Sequence, residues 1–206
     1  MSSTLIFHPI KNKSMVNNFK LIVPLLDFKT EDDFYYLQIL QRKKENEEIG
    51  SNSHVVRNYY IKSVDHLLKY EKEIINICNV FNARAMFRLN KRSFEKTAYK
   101  CMVNLANTIS NREFAFCNKS YDKATGQGHN EKNPYWIIDI DGGRVPLSMI
   151  GFINDKCEPE GFKTILSIPS KSGCHLITHP FNVQTFKEKY PNIEVQKDNP
   201  TNLYVP

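Results

Sequence analysis

The sequence has no CxxC motif, and its five cysteines are an odd number. They are Cys78, Cys101, Cys117, Cys157 and Cys174. A zinc ribbon needs closely spaced cysteine pairs, and a disulfide framework normally needs an even number, so the sequence disfavours both. Reduced thiols in a cytoplasmic protein are the simplest interpretation.

Long apolar segments are missing too. No run approaches the ~20 residues that a helix needs to cross a bilayer. Lys11 and Lys13 are not followed by an apolar segment with a small-residue cleavage site, so we expect no secretory leader. The sequence also has no internal repeat and no low-complexity tract. We therefore expect a cytoplasmic protein without a membrane partner.

The composition is that of a packed protein with a surplus of basic residues. The 206 residues are 41% hydrophobic and 24% charged, which is enough for one core or for two small lobes around a cleft. The formal net charge of +6 favours an anionic partner such as a nucleic acid or a nucleotide. Because many basic proteins bind neither, the charge alone does not decide between partners.

The N-terminal part of the chain predicts strands. β-Branched and aromatic residues are concentrated in three segments, which is typical of strands. The segments are Phe19–Leu26, Phe34–Leu40 and His54–Ile61. The polar segment Gln41–Ser53, which connects the last two, is predicted as a solvated loop.

Two helices with a strand between them are predicted next. Ser63 is a suitable N-cap for the first helix, and Ala83–Leu89 is predicted as a short strand. The second helix is predicted from Ser93 to Ile109. Its predicted buried stripe consists of Ala98, Cys101, Met102, Leu105 and Ile109. The polar segment Asn111–Asn133 is predicted as an exposed loop and as the boundary between two halves.

The second half predicts the order strand, helix, strand, strand, helix, strand. The segments are Tyr135–Asp141, Pro146–Ile153, Phe162–Ile168, Cys174–Thr178, Asn182–Tyr190 and Ile193–Val205. The expected fold class is therefore α+β, with an RRM or ferredoxin-like βαββαβ half over about residues 135–206 packed against an N-terminal mixed α/β lobe. We expect residues 1–133 and 134–206 to form two lobes of one core.

Two aspartates end the first of these strands, in the segment Trp136-Ile137-Ile138-Asp139-Ile140-Asp141-Gly142-Gly143. Since side chains alternate between the faces of a strand, Asp139 and Asp141 point to the same side. Two such carboxylates repel each other unless a cation lies between them, and hard oxygen ligands suit Mg²⁺ or Mn²⁺. The alternative is a strand end with two solvated acids, because the DxD pattern is short.

A second candidate element is the turn and strand Ser170-Lys171-Ser172-Gly173-Cys174-His175. The backbone N–H groups of Ser172 and Gly173, together with Lys171 and the His175 imidazole, can form a phosphate cradle. The alternative is an ordinary hairpin turn with a hydrogen-bonded core histidine.

A third candidate element is the acid after Ile193 on the last strand. Three carboxylates can hold two metal ions about 3.5–4 Å apart, the arrangement used for phosphoryl and nucleotidyl transfer. Glu194 is the candidate third ligand, and Asp198 competes for that role. The alternative is a surface strand with scattered charge.

In this order the three elements resemble the signature motifs of the archaeo-eukaryotic primase superfamily. Ile137-Ile138-Asp139-Ile140-Asp141 resembles the first motif, whose acids bind the catalytic metals in that family. Gly173-Cys174-His175 resembles the second motif, whose histidine contacts the phosphates of the incoming nucleotide, and Ile193-Glu194 resembles the third. The family's Arg-Leu segment has a counterpart at Leu203, but Asn202 stands in place of the arginine.

The resemblance implies a primase-polymerase that joins nucleoside triphosphates on a DNA template with Mg²⁺ or Mn²⁺. It implies catalytic roles for Asp139, Asp141, His175 and Glu194. A replicative helicase or another replication protein is an expected partner, and a phage or plasmid in a bacterial cytoplasm is an expected source.

The N-terminal lobe adds candidates for contacts with nucleic acid. Arg84 and Arg88 have the same strand parity and are candidates for phosphate contacts, together with Lys91 and Arg92. The candidates for stacking on bases are Tyr59, Tyr60, Phe87 and Tyr121.

Three other classes of function compete with the polymerase. One is a nucleic-acid-binding module without catalysis. Another is a metal-dependent nuclease or nicking initiator, in which His175 and His179 bind the metal and Tyr190 or Tyr204 is the nucleophile. A DxD glycosyltransferase is disfavoured, because such enzymes normally need a larger nucleotide-sugar domain.

Overall fold

The structure, a computed structural model, describes residues 15–50, 52–127 and 134–206. Within these ranges the protein is a mixed α+β fold with antiparallel strand pairing. The strands are β1 (Val16–Asn17), β2 (Asp33–Gln41), β3 (His54–Ile61), β4 (Arg84–Phe87), β5 (Arg92–Ser93), β6 (Trp136–Asp141), β7 (Thr164–Pro169), β8 (Gly173–Thr178), β9 (Glu194–Gln196) and β10 (Thr201–Val205). The helices are α1 (Phe19–Ile22), α2 (Val64–Val80), α3 (Phe94–Ser110), α4 (Ser120–Gly126), α5 (Leu147–Lys156) and α6 (Val183–Lys189). Short 3₁₀ turns lie at Val23–Leu25, Lys43–Glu45 and Phe114–Lys119.

The larger sheet has the strand order β1-β10-β4-β2-β3, and β5 also pairs with β2. Apolar residues of β2, such as Leu37, are buried in one cluster with Leu67 and Ile74 of α2. Helix α2 begins after Ser63, whose hydroxyl accepts a hydrogen bond from the His66 N–H at 3.0 Å. The strands predicted in this part after residue 30 and the Ser63-capped helix are confirmed. The segment Gln41–Ser53, of which residue 51 lies outside the described residues, connects β2 and β3 as predicted. It is not simply a solvated loop, because it contains the 3₁₀ turn Lys43–Glu45 and the buried Asn46.

The smaller sheet has the strand order β7-β8-β6-β9, and its elements follow one another along the chain as β6-α5-β7-β8-α6-β9. Helices α5 and α6 cover one of its faces, where Met149 and Phe186 pack with Ile138 and Leu176. The predicted order of strands and helices in this half is confirmed.

Two connections join the sheets. Ile137 and Ile177 of the smaller sheet belong to the same buried cluster as Leu37 and Leu203 of the larger sheet. The last extended stretch is broken near Pro200, as predicted, and its two parts enter different sheets. Strand β9 extends the smaller sheet beside β6, whereas β10 lies between β1 and β4 in the larger sheet.

The strand predicted over Phe19–Leu26 is wrong, because the segment forms α1 and a 3₁₀ turn. Its buried residues, Phe19, Ile22 and Leu25, recur at every third position, which is a helical spacing. The strand prediction followed the β-branched and aromatic composition and missed that periodicity. Pro24 lies within the 3₁₀ turn, where its missing N–H costs no hydrogen bond.

The predicted buried stripe of α3 is also wrong, although the helix itself is confirmed. Met102 and Ile109 are 67% and 48% exposed, and the buried residues are Thr97, Asn104 and Thr108. Helix α3 packs mainly against α4, and small and polar side chains make that contact. An apolar stripe therefore faces solvent on this helix.

The segment Asn111–Asn133 is not simply an exposed loop. Its first part forms the 3₁₀ turn Phe114–Lys119 and helix α4, in which Ala124 and Thr125 are fully buried. Residues 128–133 lie outside the described residues. None of the helices in the described ranges is long and apolar enough to cross a membrane.

Candidate functional site

The three predicted elements lie side by side in the smaller sheet. Asp139 of β6 is directly opposite His175 of β8 and directly opposite Glu194 of β9. Residues that face each other across antiparallel strands point to the same side of the sheet. Asp141 shares this side because it is two positions from Asp139. The strand register therefore places all four predicted catalytic residues on one face.

This face opens into a cleft of about 640 Å³ between the two sheets. Asp139, Asp141 and His175 line the cleft from the smaller sheet. Arg84 and Asn202 line it from β4 and β10 of the larger sheet. Side chains from both lobes can thus contact one ligand.

The two aspartates suit a divalent cation. The Asp139 side chain is 36% exposed, Asp141 is exposed, and both reach the cleft. The Ser172 hydroxyl donates to Asp141 Oδ1 at 3.3 Å, which leaves further carboxylate oxygens facing the cleft. Mg²⁺ is commonly held by one or two carboxylates, with water and substrate oxygens completing its shell. This donor set fits Mg²⁺ or Mn²⁺.

The third acid is not assembled with the other two. Glu194 is exposed and does not line the cleft, although its backbone pairs with Asp139. Within residues 15–50, 52–127 and 134–206, no group of three or more His, Cys, Asp or Glu side chains is close enough to hold a metal ion. The register places Glu194 on the same face as Asp139, but its side chain lies outside the cleft.

His175 is held between the two sheets. Its Nδ1 lies 2.7 Å from Thr201 Oγ1 on β10, and its Nε2 lies 3.5 Å from Asp139 Oδ1. Burial lowers the pKa of His175, and the nearby Asp139 carboxylate only partly opposes this effect. Sequence reasoning did not identify Thr201, which carries no motif signal.

Gly173 is needed for close packing between two chain segments. A Cβ atom at Gly173 would lie 2.0 Å from the backbone oxygen of Ile140. Next to it, the Gly142 N–H donates to the Ser172 carbonyl at 2.8 Å, with Gly142 at a φ of +75°. These contacts bring the predicted Ser170–Gly173 turn against the end of β6, so that Lys171 and Ser172 line the cleft.

The two predicted phosphate-binding cations of the cleft share one carboxylate. Lys171 Nζ lies 2.6 Å from Glu45 Oε1, and Arg84 binds both Glu45 oxygens through its Nε and Nη2 atoms. Burial would raise the pKa of Glu45, but the hydrogen bonds from Arg84 and Lys171 outweigh it and lower that pKa to about 2. Sequence reasoning placed Glu45 in a solvated loop and did not identify it.

Arg42 and Lys44 are further cations that the sequence analysis did not select. Both are exposed and line the cleft beside Glu45. Neither side chain forms an ion pair with another residue in the described parts of the chain. They add positive charge where an anionic ligand would enter.

Arg88 and Asp198 are placed outside the cleft. Arg88 Nη1 lies 3.5 Å from Asp198 Oδ2, and Arg92 Nη2 lies 2.5 Å from the same atom. Burial lowers the pKa of Arg88, and the Asp198 charge opposes that shift. Lys91 pairs with Asp33 at 2.8 Å. These predicted phosphate and metal ligands are thus engaged in ion pairs that tie chain segments together.

A second groove, of about 800 Å³, runs beside β3 and is bounded by α4 and the 3₁₀ turn Phe114–Lys119. Lys119, Lys123 and Arg57 line it, and Phe116 is 54% exposed there. Ser53 borders both this groove and the cleft, so the two are adjacent.

The aromatic residues predicted to stack on bases pack inside the protein instead. Phe87 is fully buried and Tyr59 is 5% exposed. Tyr60 stacks on Tyr36, contacts Tyr121 edge-on and donates a hydrogen bond to Asp122. Phe116, which was not predicted, has the exposed ring that stacking would need.

The residues of the nicking-initiator alternative do not converge. His179 contacts the Pro134 carbonyl and stacks on Tyr135, and it does not line the cleft. Tyr204 is buried and donates to Asn79, while Tyr190 packs on Phe186.

Comparison of the chain with models of protein families, with curated proteins and with solved structures found no match.

Proposed function

We propose that this protein is a metal-dependent nucleotidyltransferase of primase-polymerase type that joins nucleotides on a DNA template. The observation that carries the proposal is the cross-strand pair of Asp139 and His175, which faces a cleft that Lys171 lines from the same sheet and Arg84 lines from the other sheet. Acidic, imidazole and cationic groups in one cleft are the groups that phosphoryl chemistry requires.

The order of the smaller sheet supports the resemblance to primases. The element order β6-α5-β7-β8-α6-β9, the strand order β7-β8-β6-β9 and the position of both helices on one face support the proposal of an RRM or ferredoxin-like sheet. The opposite face carries Asp139 and His175. We propose that this half is the RRM-like catalytic lobe and that the N-terminal lobe supplies the other wall of the cleft.

Asp139 and Asp141 would hold Mg²⁺ or Mn²⁺. Such an ion neutralises the triphosphate and favours ionisation of the attacking 3′-hydroxyl. Glu194 remains the proposed third acid, because directly opposed residues have Cβ atoms about 5 Å apart and a side-chain rotation can bring its carboxylate to Asp139. Asp198 is not proposed, because it is bound by Arg88 and Arg92.

His175 and the cations would hold the phosphates. With Nδ1 accepting from the Thr201 hydroxyl, the neutral imidazole presents its Nε2–H to the cleft, where it can donate to a phosphate oxygen. Lys171 and Arg84 would bind the β- and γ-phosphates, with Arg84 offering two parallel N–H donors. Ser172 keeps the Asp141 carboxylate in position.

The adjacent groove would take the DNA template. Glu113 and Asp122 also line this groove, and Arg57 pairs with Glu73. Lys119 and Lys123 would therefore supply the charge for the phosphate backbone, and the Phe116 ring, with Lys119 over one face, would offer its other face for stacking. Because Ser53 lines both the groove and the cleft, a DNA strand bound in the groove would extend toward the cleft that contains Asp141.

One observation favours a second candidate, a nucleic-acid-binding module without catalysis. Glu194 is exposed and does not line the cleft with Asp139 and Asp141. Such a module would bind DNA with an affinity that does not change when divalent metal is removed. A replication partner, such as a helicase, would then supply the chemistry.

The test is extension of a labelled primer on a DNA template with each set of nucleoside triphosphates, in Mg²⁺ and in Mn²⁺. The variant Asp139→Asn/Asp141→Asn is compared with Asp155→Asn, an exposed acid on α5. We expect wild-type protein and Asp155→Asn to extend the primer and the double variant to lose at least about 100-fold in rate. Equal product from the double variant, or no product from wild-type protein that binds the DNA, contradicts the proposal.

A further inference from the structure

Glu45 connects the two lobes across the mouth of the cleft. Its carboxylate accepts hydrogen bonds from Arg84 on β4 of the larger sheet. It also forms an ion pair with Lys171, which lies on the turn before β8 of the smaller sheet. Its side chain is only 13% exposed. One carboxylate thus occupies the point where cations of both lobes converge.

The cluster has more positive charge than this carboxylate neutralises. Arg84, Lys171, Arg42 and Lys44 line the cleft with Glu45, and Arg42 and Lys44 form no ion pair in the described ranges. Asp139 and Asp141 also line this cleft, and its four cations still outnumber its three carboxylates. Carboxylates and phosphates use the same arginine and lysine donors. A polyphosphate, which carries several charges, therefore matches this cluster better than a single carboxylate does.

The backbone around Glu45 is fixed, while its side chain can leave. The Asn82 side chain donates to the Glu45 carbonyl at 3.0 Å, and the buried Asn46 donates to the Asn82 carbonyl at 3.1 Å. The Glu45 N–H donates to the Arg42 backbone carbonyl at 2.9 Å. Because these bonds involve no carboxylate atom, rotation of the Glu45 side chain frees both cations without moving the turn.

We infer that the Glu45 carboxylate is an internal competitor that occupies a polyphosphate-binding site formed by Arg84 and Lys171, and that a triphosphate displaces it by side-chain rotation. This inference rests on the proposed function for the identity of the natural ligand, a nucleoside triphosphate. An anion must carry enough negative charge to displace the Glu45 carboxylate from Arg84 and Lys171. Orthophosphate therefore binds poorly, and a triphosphate binds well. Its return to the cations favours release of the shorter pyrophosphate.

The test measures binding of inorganic tripolyphosphate by calorimetry at constant ionic strength, with EDTA and without DNA. Glu45→Gln keeps the size of the side chain and removes its charge. Glu48→Gln is the matched control, because Glu48 is an exposed acid of the same loop and the change in net charge is identical. We expect Glu45→Gln to bind on the order of tenfold more tightly than wild-type protein, and Glu48→Gln to bind like wild-type protein.

The opposite outcome has a clear meaning. If Glu45 only positions Arg84 and Lys171, Glu45→Gln will bind tripolyphosphate equally or more weakly, and the inference is wrong. An equal gain in tripolyphosphate affinity in Glu48→Gln also overturns the inference, because the gain would then come from the change in net charge. Glu45→Asp keeps the charge and is the second variant if Glu45→Gln does not fold. Its shorter side chain cannot span both cations, so tighter binding supports competition and weaker binding overturns it.

Failure of this inference and failure of the proposed function can be told apart. The binding measurement needs neither catalysis nor metal nor a template. If Glu45→Gln binds tripolyphosphate more tightly but the protein does not extend a primer, the polyphosphate site is supported and the polymerase function is wrong. If the protein extends a primer but Glu45→Gln binds tripolyphosphate equally or more weakly, the polymerase function is supported and the role of Glu45 as a competitor is wrong.

Discussion

The Nδ1 atom of His175 lies 2.7 Å from the hydroxyl oxygen of Thr201, and this contact joins the two sheets at the cleft. His175 belongs to β8 of the smaller sheet, and Thr201 belongs to β10 of the larger one. The hydroxyl fixes the ring orientation and leaves Nε2 directed toward Asp139. The position of the imidazole thus depends on a strand from the other sheet.

Replacing Thr201 with valine tests this dependence. The change keeps the shape but removes the hydroxyl, so we expect about a tenfold loss in kcat/KM for nucleotide incorporation and about 1 kcal/mol loss in the free energy of unfolding. Thr201→Ser restores the hydroxyl and should recover most of the activity. The measurements are single-nucleotide incorporation and urea unfolding. Full activity of Thr201→Val would show that the ring needs no such support.

Gly173 and Gly143 form a matched pair for testing the close approach of the turn to β6. Alanine at Gly173 would place Cβ 2.0 Å from the Ile140 oxygen, whereas alanine at Gly143 meets nothing within 4 Å. We expect Gly173→Ala to lose about 2–4 kcal/mol of unfolding free energy and Gly143→Ala to change it by less than about 0.5 kcal/mol. Thermal unfolding of both variants checks this. Equal stability would contradict the observed packing.

Glu45 predicts a pH dependence of stability. Its pKa falls from 4.5 to about 2 in the folded protein, so its stabilising contribution is complete above pH 4.5 and is lost as the pH falls toward 2. We expect wild-type protein to lose on the order of 2 kcal/mol through this group over that range. The Glu45→Gln variant should lose less unfolding free energy over the same pH range, by that amount. Parallel curves for the two proteins, measured by urea unfolding at several pH values, would refute the assignment.

Glu194 and Asp198, the two candidates for the third acid, predict opposite phenotypes. Asp198→Asn breaks a buried contact with Arg92 and should cost about 3 kcal/mol of stability, while the folded fraction keeps its rate of nucleotide incorporation. Glu194→Gln changes an exposed residue, so we expect little change in stability and a loss of at least about tenfold in rate. The reversed pattern would make Asp198 the ligand.

The alternation of side chains along a strand was enough to predict much of the site. It placed Asp139 and Asp141 on one side of β6, and the observed register adds His175 and Glu194 to that side. The register itself follows from hydrogen bonds between distant segments and could not be derived from the sequence. For the same reason the sequence could not show that Glu194 pairs with Asp139 and yet lies outside the cleft.

Other parts of the fold could not be predicted because tertiary contacts decide them. Arg84 and Arg88 were predicted to act together, but Glu45 binds the first and Asp198 binds the second. Both partners come from distant parts of the chain. On α3 the helical period was predicted, but the buried face was wrong. Helix α4 packs on α3, and the buried residues of α3 are Thr97, Asn104 and Thr108 rather than the apolar stripe.

We propose that Asp139 and Asp141 hold a divalent metal for nucleotidyl transfer, and Mn²⁺ binding tests this role most directly. Electron paramagnetic resonance measures free and bound Mn²⁺ in the presence of a nucleoside triphosphate, for wild-type protein, Asp139→Asn/Asp141→Asn and the control Asp155→Asn. We predict that wild-type protein and Asp155→Asn bind Mn²⁺, and that the double variant loses at least about tenfold in affinity. Equal Mn²⁺ binding by all three proteins would contradict the claim.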